Sequence, residues 1–145
     1  MSDQFTLNHD QVALAAGVLQ RQCHGLAKAS GWWTDINTGR DLVGGYTYTS
    51  GSGVVPPRNI GELLCLVHSE ISEAMEGARK GLMDDKLTHR TMLEVELADA
   101  VIRIFDMAGG LGLDVPGAIA EKLAFNARRS DHRIENRLQS GGKAF

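Results

Sequence analysis

From Ile60 to Lys80 the apolar residues return every three or four positions: Ile60, Leu63, Leu64, Val67, Ile71, Ala74, Met75 and Ala78. That spacing marks one face of a helix and excludes an alternating strand. The same rhythm runs from about Asn8 to Ala29 through Val12, Ala15, Ala16, Leu19, Cys23, Leu26 and Ala27. It runs again from about Thr88 to Ala108 through Leu93, Leu97, Ala100, Val101, Ile104 and Ala108. Gly31, Gly81 and the group Gly109, Gly110 and Gly112 read as helix stops. Pro116 suits the first turn of a fourth helix reaching about Arg129, and the tail from Ser130 extends that helix or starts a fifth. Met75 and Met107 fall on apolar stripes and read as core. The expected fold is all-α, a four-to-five-helix bundle. A chain of 145 residues sustains one core rather than two, so residues 1–145 are expected to form a single domain.

Between the first two helices every period breaks. GWWTDINTGRDLVGGYTYTSGSGVVPPRN, residues 31–59, is a long Gly-rich loop with room for a short hairpin around Val43–Thr49. Connections of this length in a compact domain tend to serve function.

Charge and hydropathy exclude several partners. A net charge of −3 gives no electrostatic basis for binding a nucleic acid polymer. No apolar run approaches the roughly 20 residues of a membrane span. The start, MSDQFTLNHD, lacks the basic-then-apolar pattern of a secretory leader. Cys23 and Cys65 have no partner at metal-binding spacing and read as packed, reduced thiols. A cytoplasmic location is the resulting expectation.

The chemistry lies in acids placed near apolar faces. At 3.6 residues per turn, Glu70 falls about −80° and Glu73 about −140° from a stripe centred near Ala78. On the third helix, measured from Leu97, Glu96 falls about −100° and Asp99 about −160°. Both pairs occupy the same flank. A short turn makes the two helices antiparallel neighbours. If that turn is centred on Asp84–Asp85, Glu73 stands level with Glu96 and Glu70 with Asp99. One such pair is ordinary on a solvated helix flank; two pairs matched in angle and height are not. Four like charges at a core edge are costly unless cations join them, and carboxylate oxygens suit Mg²⁺, with Mn²⁺ able to substitute. A di-iron carboxylate site needs Glu-x-x-His on two helices, and none of the five histidines stands three residues after a glutamate. His24 and His68 read as packing or surface groups.

The two acidic pairs, EISE at 70–73 and ELAD at 96–99, resemble the E-x-x-E…E-x-x-D signature of the MazG-like all-α nucleoside triphosphate pyrophosphatases. GWW at 31–33, RNIGELLCLVHSEISEAMEGARKG at 58–81 and EKLAFNARR at 121–129 are similar too, so the likeness covers about residues 8–135. It implies Mg²⁺-dependent hydrolysis of a nucleoside triphosphate to the monophosphate and pyrophosphate. Glu70, Glu73, Glu96 and Asp99 would be the metal-holding and catalytic residues. Lys122, Asn126 and Arg129, at i, i+4 and i+7, match the family's phosphate-binding stripe; the plain alternative is a solvated helix face. Trp32 and Trp33 either stack on the base, a contact worth about 1–3 kcal/mol, or cap the core and an interface. The substrate expected is a purine deoxynucleotide such as dGTP, with dUTP, dCTP or a non-canonical dNTP as the alternative. The resemblance further implies a homo-oligomer, a dimer or dimer of dimers. This chain departs from the family in a glycine-rich insertion of roughly twenty residues after the tryptophans. A non-catalytic helical nucleotide-binding or regulatory module is the competing class.

Overall fold

The computed structural model describes residues 7–44 and 58–141. Five helices follow in order: α1 His9–Ala29, α2 Ile60–Lys80, α3 Met92–Leu111, α4 Val115–Ala127 and α5 Ile134–Arg137, with a 3-10 turn Ser130–His132 before the last. Among the described residues no strand forms, only isolated antiparallel bridges at Thr34–Asp41 and Met83–Thr91. The all-α class holds. The hairpin expected around Val43–Thr49 lies mostly outside the described residues. No helix among the described residues is long and apolar enough to cross a membrane. The chain divides into two compact units, Met1–Gly17 with Asp114–Phe145, and Val18–Leu113.

In the larger unit, α2 and α3 pack against each other. Asn59 starts α2 by accepting from the backbone N–H of Gly61 at 2.9 Å and of Glu62 at 3.3 Å. Gly81 stops it in the left-handed region at φ 64°, where a side chain would be strained. The third helix begins at Met92 rather than Thr88 because Thr91 and Glu94 close a capping box there. Residues before it form a closed link. Asp84, buried, accepts from the backbone of Lys86 and Leu87, and Asp84 N–H donates to Arg90 O at 3.0 Å. The link thus folds about Leu87 rather than Asp84–Asp85.

Two glycines expected to end α3 lie inside it. A Cβ on Gly109 would stand 2.5 Å from His24 Cβ, and one on Gly110 would stand 2.1 Å from the Trp33 ring. These glycines are clearances for neighbouring rings, and only Gly112, at φ 69°, caps the helix. Trp33, fully buried, centres a cluster with Leu63 and Leu111, flanked by Ala27, Leu42, Val43, Ile60, Met107 and Leu113.

The buried face differs from the one periodicity suggests. On α2 it runs through Leu63, Glu70, Ala74 and Gly77, and on α3 through Glu96, Ala100, Phe105, Ala108, Gly110 and Leu111. Leu64, Ile71, Met75, Leu93 and Leu97, expected inside, are exposed, as are Leu19, Leu26 and Cys65. Small residues account for this. Gly77 lets Met92 approach to 2.9 Å of where a Cβ would stand, so the helices close on their small side chains and turn the bulky aliphatic ones outward.

In the smaller unit, Asp114 caps α4 by accepting from Gly117 N–H at 2.9 Å, and Pro116 sits in the first turn as expected. The helix ends at Ala127, two residues before Arg129.

Two substitutions separate clearance glycines from idle ones. Gly110→Ala should destabilise by roughly 1–3 kcal/mol through overpacking against Trp33. Gly25→Ala on α1, where a Cβ meets nothing within 4 Å, should stabilise by about 0.5–1 kcal/mol. Chemical denaturation of both variants reads the difference, and equal effects would refute the packing described.

Candidate functional site

Three of the four signature acids meet. Glu70 from α2 and Glu96 and Asp99 from α3 each offer one carboxylate oxygen, all within 4.8 Å of one another. Glu70 is 5% exposed and Glu96 8%, and Asp99 is half-buried. They are not on the flank of the apolar stripe; Glu70 and Glu96 lie within the seam itself. Glu73 is exposed and outside this trio, though its charge still acts on Glu96.

Glu96 bears the electrostatic cost of the trio. Burial first, then a hydrogen bond with Glu70 and the charges of Glu73, Glu70 and Asp99, push the Glu96 carboxyl up to about 7. An all-oxygen donor set of this kind fits a hard divalent cation such as Mg²⁺ or Mn²⁺, whose charge would replace the missing proton. One cation is already there. Arg103, one turn beyond Asp99, donates from Nε to Glu70 Oε1. The acidic signature does not include Arg103; the only sequence signal for it is the i+4 spacing from Asp99, which puts both on one face.

Beside the acids opens a cleft of about 540 Å³, lined by Asp99, Arg103, Arg58, Trp32, Asp106 and Cys23 together with apolar residues. The structure divides the tryptophan pair. Trp33 has no exposed face to offer a base; its Nε1 donates to Asp106 Oδ1 at 2.7 Å. Trp32 is 71% exposed and borders the cleft. Asp106 Oδ1 also meets His24 Nδ1 at 3.0 Å, and His24 packs edge-on to Trp33 with ring centroids 5.3 Å apart. His24 is therefore a packing residue, as expected, and His68 is exposed. Arg58 lies over the Trp33 ring at 5.1 Å and donates from Nη1 to Trp32 O at 3.3 Å. Burial, then the charge of Asp106, holds the Cys23 thiol above its ordinary pKa.

The expected phosphate stripe belongs to the smaller unit and is only partly a stripe. Lys122 and Asn126 share a face of α4, but Arg129 falls beyond the helix end. Arg129 instead grips Asp131 through Nε at 3.0 Å and Nη2 at 2.6 Å, the fork geometry that competes with an external anion. Lys122 lies over the Phe125 ring at 4.8 Å, and Asn126 Oδ1 is buried without a hydrogen-bond partner among the described residues. Compared with protein-family models, with curated proteins and with solved structures, the chain matches none of them.

The raised Glu96 value has a consequence for stability. Folding favours the protonated carboxyl, so this group's contribution is complete below about pH 4.5 and is lost as pH rises through about 7. In metal-free protein, Glu96→Gln should be more stable than wild type near pH 8, by on the order of 1–3 kcal/mol. Added Mg²⁺ should narrow that gap by stabilising the wild type alone. Thermal melts with chelator and with Mg²⁺ check this; parallel pH profiles for the two proteins would contradict it.

Proposed function

We propose that this chain is a Mg²⁺-dependent nucleoside triphosphate pyrophosphohydrolase of the MazG-like all-α type, releasing the monophosphate and pyrophosphate. The observation that carries the proposal is the meeting of Glu70, Glu96 and Asp99 at the edge of a cleft bearing two arginines and an exposed tryptophan. Glu70, Glu96 and Asp99 are the residues that would hold the ion, with Glu73 at the margin. A divalent cation bound there would neutralise charge on the phosphate oxygens and acidify the attacking water.

The chain's own groups do the rest. Glu73, exposed and outside the close trio, is the glutamate proposed to accept the proton of the attacking water. Arg58, fixed over Trp33, offers charge at the cleft rim, and Trp32 offers a stacking surface for a base. A purine deoxynucleotide such as dGTP is the proposed substrate, and dUTP, dCTP or a non-canonical dNTP is the alternative. Lys122, Asn126 and Arg129 are retained as candidate phosphate contacts; Arg129 reaches an anion only by releasing Asp131. A bundle assembled as a homo-oligomer belongs to the same reading. It is supported by the bare aliphatic side chains Leu97 and Val101 of α3, 46% and 44% exposed, which a partner helix would cover. A cytoplasmic location goes with it.

The contact between Arg103 and Glu70 favours a second reading, a nucleotide-binding module that does not turn over, because it neutralises one ligand without a metal. Single-turnover measurement separates the two. Purified protein is incubated with each common NTP and dNTP plus Mg²⁺, and products are identified. Monophosphate plus pyrophosphate is expected; intact substrates, or diphosphate plus orthophosphate, would reject the enzyme. Asp99→Asn should abolish both turnover and Mn²⁺ binding. Glu73→Gln should lower kcat by roughly 10²–10⁴-fold while Mn²⁺ binding persists. Light scattering that returns the mass of one chain would reject the oligomer.

A further inference from the structure

Arg103 occupies two places at once. Its Nε reaches Glu70 Oε1, whose side chain is 7% exposed, while the Arg103 side chain itself is 42% exposed. It also lines the cleft with Asp99, Arg58 and Trp32. The guanidinium therefore enters the seam from the cleft and satisfies a carboxylate that is one of the three able to hold a cation. A guanidinium and a divalent ion a few ångströms apart repel, and both compete for the same oxygens. Glu70 is the carboxylate that both would share. Arg58 provides the contrast, since its carbonyl and ring contacts involve no carboxylate of the trio, so a metal leaves it in place.

We propose that Arg103 is a phosphate-binding residue held in reserve on Glu70, displaced into the cleft when a divalent cation takes the carboxylates. This rests on the metal-dependent nucleotide reading. Once free, the guanidinium presents its fork of donors to the anionic part of a nucleotide lying in the cleft. No covalent step is involved; one ion pair is exchanged for another. The exchange makes the two ligands cooperative. Metal binding unlocks the arginine for phosphate, and phosphate in the cleft draws the arginine off Glu70 and opens the metal site. Thermodynamic linkage requires the two effects to be equal. Order is set by charge rather than by a moving loop, because without the metal the nucleotide meets a cleft whose inner cation is already engaged.

The test uses binding alone. Mn²⁺ is titrated calorimetrically into wild type and Arg103→Gln, with circular dichroism confirming the helical content of the variant. Removing the competitor should tighten Mn²⁺ about tenfold, within the usual range of coupling between sites. In a second arm, dGMP is titrated with and without Mn²⁺. Arg103→Gln should match wild type for dGMP when metal is absent and bind it several-fold more weakly when metal is present. If Arg103→Gln does not fold, Arg103→Lys is titrated instead; it retains charge but loses the fork, and should still bind Mn²⁺ more tightly than wild type. Equal or weaker Mn²⁺ affinity in the variant overturns the proposal while leaving the metal site standing. An arginine contribution to dGMP binding that ignores Mn²⁺ also overturns it. Absence of Mn²⁺ binding in both proteins overturns the metal reading and this proposal together.

Discussion

Glu70 and Glu96 share the seam between α2 and α3, each with a carboxylate oxygen within 4.8 Å of the other's. Taking even one carboxylate out of water costs several kcal/mol unless it is paired, and two facing each other in one seam would drive the helices apart if both were ionised. The structure answers with a Glu96 carboxyl pushed up to about 7 and with Arg103 on Glu70. It answers also with close approach through Ala74, Gly77 and Ala100, which keeps the helices in contact where the acids would loosen them. A leucine at either acidic position would give a more stable seam. Keeping the acids there is reasonable only if their oxygens are needed, and this links the packing to the proposed chemistry.

The other end of the larger unit is organised around Trp33. Its indole fills the space left by Gly110, its Nε1 satisfies Asp106, and Leu42 N–H returns to Trp33 O at 2.8 Å. The loop after α1 is thereby tied to α3, and with it Trp32, which the chain turns outward toward the cleft. Asp106 lies seven residues after Asp99, two helical turns along α3. The helix that carries two of the acids at one level therefore also anchors the aromatic corner of the same cleft.

Much of this was legible in the residues. The period of α2 gave both of its ends, because Asn59 and Gly81 are strong caps with little competition. That Glu96 and Asp99 share a face was readable from helix spacing, since a three-residue step returns nearly to it. The same step does not bring Glu73 in beside Glu70, and the level expected across the hairpin assumed a turn at Asp84–Asp85 rather than about Leu87. The seam's direction was not readable. Counting large aliphatics put its centre on Leu97 and near Ala78, whereas the helices closed on Ala74, Gly77 and Ala100, and a hydrophobicity pattern gives small residues too little weight to show that. Gly109 and Gly110 read as a stop for the same reason: a sequence does not reveal which ring will lie against a glycine. Arg103 carries little signal of its own: an arginine on a helix that also bears acids is ordinarily a solvated group, and only its i+4 spacing from Asp99 marks it. The link before α3 needed the Thr91–Glu94 pair, an S/T-x-x-E pattern visible in the chain and outweighed by the longer apolar period.

The near-contact of Gly110 with Trp33 has a bearing on how such a chain can diverge. The indole occupies the volume of an absent Cβ, so neither position is free to drift alone. A lineage that acquires a side chain at 110 must first have shrunk the ring at 33. That shrinkage releases Asp106 from its indole donor and leaves Arg58 without the ring beneath it. The two sites should therefore change together or not at all, and the aromatic corner of the cleft would be inherited as a unit.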